Sequence, residues 1–173
     1  MKKLVILSML VLALLVKEVK AQETLPDPGI LPGSPFYGLE KALERLQLLL
    51  TLDPEKKAKL HLQLAAERLA EAKALVEKNK TELLETVLPE YEEELESAEE
   101  HVLMLEALGK NTTALVEHVA EMTYKHIEVL LDVYEKVPDV AKPHIEHAIN
   151  VSSKGHSTVI EKLSERNIQK ALQ

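Results

Sequence analysis

Cysteine and tryptophan are absent from the 173 residues, phenylalanine occurs once and glycine five times. Without cysteine there is no disulfide, no thiol nucleophile and no thiolate metal site, so stability must come from packing alone. With aromatics at only 3%, Leu, Ala, Val and Ile have to fill any core. A chain rich in those residues and in Glu and Lys, with so little glycine, has the profile of helix bundles rather than sheets. Basic excess is lacking too. The formal charge is −8, opposite in sign to the footprint that phosphate binding requires, which argues against a nucleic-acid partner.

Catalytic signatures are equally scarce. There is no Gly-x-Ser-x-Gly elbow, no His-Glu-x-x-His zinc helix and no glycine-rich phosphate loop, so no enzyme and no cofactor is expected.

What is present begins with Met1-Lys2-Lys3, the apolar run Leu4 to Val16, and Val19-Lys20-Ala21. This is the layout of a secretory signal over residues 1–21, with cleavage expected after Ala21 and an extracytoplasmic location as the consequence. Contact with a membrane is expected only if this segment stays uncleaved. Cleavage would remove Lys2, Lys3, Lys17, Lys20 and Glu18 and leave the chain more acidic still. Residues 22–33 hold Pro26, Pro28, Gly29, Pro32 and Gly33 and read as a short linker.

From residue 34 to residue 173 the pattern is helical. Ser34-Pro35 suits a helix start and places Phe36 and Tyr37 in the opening turn beside Leu39, Leu43 and Leu46. The phenyl ring is expected to be buried there, for about 1.5–3 kcal/mol, fastening the linker to the domain. A second helix opens at Asp53-Pro54 with the seam Ala58, Leu62, Ala65, Leu69, Ala72, Val76. A third carries Leu84, Leu88, Tyr91, Leu95, Ala98, Val102 and Leu105 through a kink at Pro89. A fourth, after Gly109-Lys110-Asn111, shows two adjacent seams, Leu115 to Val133 and Val116 to Tyr134, which implies a wide buried face. The last, from about Pro138, lines up Ala141, Ile145, Ala148, Ser152, Gly155, Val159 and Leu163. Its small residues would admit a close neighbour. Connections of a few residues between long helices predict an all-α, antiparallel up-down bundle of four long helices plus a short N-terminal one.

The blocks "LPGSPFYGLEKALERLQLLLTLDPEKKAKLHLQLAAERLAEAKAL" and "KVPDVAKPHIEHAINVSSKGHSTVIEKL" resemble an uncharacterised family of exported archaeal and bacterial proteins, a domain of unknown function. The most specific parts are Ser34-Pro35-Phe36-Tyr37, the Asp53-Pro54 helix start and the run Ala66 to Ala72. The resemblance carries no catalytic or ligand residue. It does carry, for some members, a link to anti-sigma-factor-like proteins, which an apolar segment at the very N-terminus does not suit.

Seven histidines raise a metal-binding alternative. His126, His144 and His147 are the leading donors, with His118 and Met122 secondary, because three- and four-residue steps on a helix can aim side chains at one ion. Zinc, nickel or copper would suit imidazole. The bland reading of His126, on an apolar seam, is a core-edge histidine bonded to a neighbour. The run "PEYEEELESAEE" (89–100) lacks the glycine-turned loop of a calcium site and reads as a solvated helix face. Asn79, Asn111 and Asn150 open Asn-x-Ser/Thr sequons and are glycosylation candidates. The functional expectation is therefore a non-enzymatic exported or cell-surface module, structural or interacting, with a protein partner or self-association.

Overall fold

The structure is a computed structural model that describes residues 25–171. The signal segment expected at 1–21 lies outside the described residues. Within them the chain is all-α, with α1 Tyr37–Leu50, α2 Pro54–Glu77, α3 Leu84–Ala107, α4 Thr113–Lys136 and α5 Lys142–Ala171, and a single 3-10 turn at Thr81–Leu83.

Local chemistry sets most of these limits. The Asp53 carboxylate accepts from the Lys56 N–H at 2.9 Å, and Pro54 occupies the first position of α2, where no donor is needed. Asn79, at φ 55°, and Gly109, at φ 69°, end α2 and α3 in the left-handed conformation. In each case the next amide, of Lys80 or Lys110, reaches back to Leu75 or Leu105 and satisfies an orphan carbonyl. The Asn111 side chain accepts from the Thr113 N–H at 3.1 Å at the start of α4. Helix α3 continues through Pro89.

Helix α2 packs most extensively on α3, and α4 on α5; the two hairpins then meet through α3 on α5 and α2 on α4. Inside each hairpin the contacts run in opposite senses. His61 meets Glu94 while Arg68 lies 4.0 Å from Glu90, and Ala120 meets His156 while Tyr134 meets Glu146. Between hairpins they run in the same sense, Glu92 with His147 and Glu106 with Lys162. Helices α3 and α4, consecutive in the chain, thus face each other across the bundle.

The core is made of the expected seams. Leu62, Leu69, Leu95, Val119, Val129 and Ile145 are all essentially without solvent contact. Two of the small residues of α5 meet side chains: the Tyr91 hydroxyl contacts Ser152, and a Cβ on Gly155 would run into the Glu99 carboxylate.

Helix α1 departs from expectation. Phe36 is 62% exposed, and Leu39, Leu43 and Leu46 are more than half exposed, so the phenyl ring does not plug the bundle. The segment before it is fastened differently. Leu25 and Leu31 pack on the core and Pro32 is buried, while the Ile30 N–H donates to the Glu40 carboxylate at 3.0 Å.

Candidate functional site

An amphipathic helix normally turns its apolar stripe to the core. Helix α1 does the reverse. The side chains it directs at the bundle are Tyr37, Lys41, Glu44 and Leu48, in steps of four, three and four, and all four are half-buried. On nearly the opposite side stand Phe36, Leu39, Leu43, Leu46 and Leu50, in steps of three and four, with Leu49 and Leu52 beside them at 72% and 87% exposure.

The reason lies in α2. Arg68 is 1% exposed, and a buried guanidinium needs carboxylates around it. It pairs with Glu71 one turn along α2 and with Glu44 of α1, and lies 4.0 Å from Glu90 of α3. Lys41 adds bridges of 3.0 Å to both Glu44 and Glu90. The Tyr37 hydroxyl accepts from Arg68 at 3.1 Å and lies 3.2 Å from Glu71 and 3.1 Å from Glu90, donating to one of them at a time. The Arg68 cation also sits 5.9 Å from the Tyr37 ring centroid. Two cations thus face three carboxylates. Burial pushes the Glu71 carboxyl up to about 7, against the pull of Arg68 and the Tyr37 hydroxyl. Burial also pulls on Arg68, but Glu71 and Glu44 outweigh it and hold the guanidinium firmly charged. Tyr37 and Arg68-Glu71 belong to two of the three most specific parts of the sequence resemblance, and in the fold they interlock.

A second polar group lies at the centre of the bundle, where α3, α4 and α5 meet. The Tyr91 hydroxyl contacts Ser152 and stands 3.2 Å from Nδ1 of His126. All three residues are 0% exposed. Burial lowers the His126 pKa to about 4, so the ring is neutral, and pushes the Tyr91 hydroxyl well above its usual range. His126 Nε2 has no hydrogen-bond partner among the described residues. Closed from solvent, this group specifies how three helices meet and offers nothing to a substrate in this conformation.

The metal candidates are dispersed. His126 is in the core against Tyr91, whereas His144 and His147 are exposed on α5 and His118 is exposed on α4, with Met122 half-buried. His147 pairs with Glu92 at 2.8 Å, and that bond raises its pKa. Among the described residues no three His, Cys, Asp or Glu are grouped so as to hold a metal ion. A site made of His126, His144 and His147 would require the His126 ring to leave the core. Asn79, Asn111 and Asn150 are all exposed.

Sequence reasoning missed the role of the glutamate run. Glu90 joins the Arg68 cluster, Glu92 and Glu94 pair with His147 and His61, and Glu99 packs over Gly155. The signal available was the tyrosine between Glu90 and Glu92, on an apolar seam, which places both flanking carboxylates near helix interfaces.

The class is therefore an all-α bundle of two packed hairpins carrying, ahead of them in the described residues, an ion-paired, leucine-faced helix. The family described as a domain of unknown function (DUF5667) matches residues 29–140, and the chain belongs to it. The match takes in α1, the Arg68 cluster and the first three bundle helices. No curated protein and no solved structure gives a match.

Proposed function

We propose that this chain is a non-enzymatic, extracytoplasmic helical module that works by docking protein to protein through the outward leucine face of α1. The observation that carries the reading is the inverted packing of that helix. Each large apolar side chain left in water forgoes about 1.5–3 kcal/mol of burial, and α1 with its two flanks leaves Phe36 and six leucines more than half exposed. A contiguous apolar patch of this kind marks an interface. The ion-paired inner face supports the same reading, because it holds the helix on the bundle while leaving the leucines free. The signal-like N-terminal sequence supports export. No helix among the described residues is long and apolar enough to cross a membrane.

In-cell photocrosslinking tests the reading. A photoreactive residue at Leu43 should yield a discrete protein adduct, and one at Glu128, exposed on α4, should not. Equal, diffuse labelling at the two positions, or none at either, refutes a docking role for α1.

A further inference from the structure

We infer that the protein covering the α1 leucine face is a second copy of this chain, the two α1 helices pairing seam to seam; the inference rests on the docking reading above. Phe36, Leu39, Leu43, Leu46 and Leu50 recur in alternating steps of three and four, the narrow seam by which one helix packs on another of like spacing. No charged residue interrupts the seam, so nothing in it selects a foreign partner or repels an identical one. A two-fold contact uses the same patch twice, and a stripe with one repeating spacing is complementary to itself.

The size and the geometry agree. A stable interface buries roughly 800 Å² on each partner, and seven large apolar side chains, each more than half exposed, offer surface of that order. The Tyr37, Lys41 and Glu44 side of α1 is held by Arg68, Glu71 and Glu90. Because the seam points nearly the opposite way, the two bundles would lie on opposite sides of the paired helices and not collide. A lipid surface fits less well. Interfacial helices carry Lys and Arg along the polar face, whereas α1 balances Lys41 and Arg45 with Glu40 and Glu44, and the whole chain is acidic at −8.

The experiment expresses the full chain, purifies it in the form the cell leaves it, and reads its N-terminus by mass spectrometry. Sedimentation equilibrium should give a reversible monomer-dimer system, and the pair Leu43→Gln with Leu46→Gln should raise the dissociation constant at least 100-fold with the helical circular dichroism unchanged. The absence of native cysteine provides a second readout that needs no disruption. Leu43→Cys treated with a short bis-maleimide should give crosslinked dimer, and Glu128→Cys should not. A chain monomeric to several hundred micromolar, a dimer indifferent to the glutamine pair, or flotation of the wild type as a monomer on phosphatidylcholine vesicles overturns the inference. A Leu43 adduct to a different protein in cells, with a monomer in solution, also overturns it but leaves the docking reading standing. A monomer without any Leu43 adduct removes both.

Discussion

Helices α1 and α2 are neighbours in the chain and both carry apolar residues three and four apart, yet α2 hides its seam and α1 displays it. The seam of α2, from Ala58 to Val76, is buried in the core, where α2 packs on α3 and α4. Outside that seam Leu60 and Leu64 of α2 are buried as well, apart from the core cluster. What ties α1 to α2 is Arg68, a cation sealed from water whose carboxylate partners come from α1 and α3 as well as from α2 itself. The comparison teaches that a helix's orientation is decided by what its neighbour leaves unsatisfied, and a buried charge is harder to leave alone than a leucine that a partner can cover later.

The largest effect should come from removing that cation. Arg68→Ala leaves Glu71 and Glu44 facing each other without their shared counter-charge and is expected to cost about 3–5 kcal/mol in urea unfolding. Adding Glu71→Gln should recover part of the loss. Hydrogen exchange sharpens the comparison: the amides of α1 should lose protection in Arg68→Ala more than those of α4. Equal loss throughout would mean that Arg68 serves the bundle and not the seating of α1.

Next comes Leu69→Ala, at the closed seam of α2, where a cavity should cost about 2–5 kcal/mol. At the centre of the bundle, Tyr91→Phe removes the hydroxyl that Ser152 and His126 share and should cost about 1–3 kcal/mol by leaving buried polar atoms unpartnered. If Tyr91→Phe proves neutral, the central polar group is not part of what fixes the helix arrangement.

The bundle helices were legible in the sequence because their seams run unbroken and their ends carry Asp53-Pro54, Asn79 and Gly109. The stripe on α1 was legible as a stripe. Its direction was not, because periodicity reports that one face is apolar and is silent on what that face meets; that depended on Arg68, which lies 24 residues beyond Glu44 and 31 beyond Tyr37 in the chain. The site was half legible for the same reason. Tyr37 and the Arg68-Glu71 step stood in the most specific parts of the resemblance, but Glu44 and Glu90 looked like ordinary helix-surface acids until tertiary structure brought them to the same guanidinium. The histidines are dispersed because spacing along two helices does not decide which rings turn inward, and His126 turned into the core while His144 and His147 stayed out.

Glu99 gives a smaller effect of opposite sign. Burial, with Glu96 adding to it, pushes its carboxyl up to about 7 against the pull of Lys154. A folded-state pKa above the unfolded value means the folded chain holds the extra proton, so this group favours folding at low pH and the advantage is lost as pH rises from about 4.5 through 7. His126, lowered to about 4, works the other way: its contribution is present above about 6.5 and lost as pH falls through 4. Glu99→Gln should match the wild type near pH 4 and be more stable by roughly 1–2 kcal/mol at pH 7, after discounting for partial exposure. A constant difference across that range would mean the charge on Glu99 is not what the substitution relieves.

The smallest effect should be that of Leu46→Ala, and it is the one that separates α1 from α2 most cleanly. Leu46 is 51% exposed, so in dilute solution its truncation opens no cavity and should change the unfolding free energy by no more than about 0.5 kcal/mol, against the several lost at Leu69. The two leucines differ in a second way that concentration reveals. Association stabilises a folded chain by mass action, so the wild-type Tm should climb as protein concentration is raised while the Leu46→Ala Tm climbs less, and the gap between them should vanish on dilution. A gap of several kcal/mol that survives dilution would mean that Leu46 is already buried within a single copy, and that α1 and α2 obey the same packing rule after all.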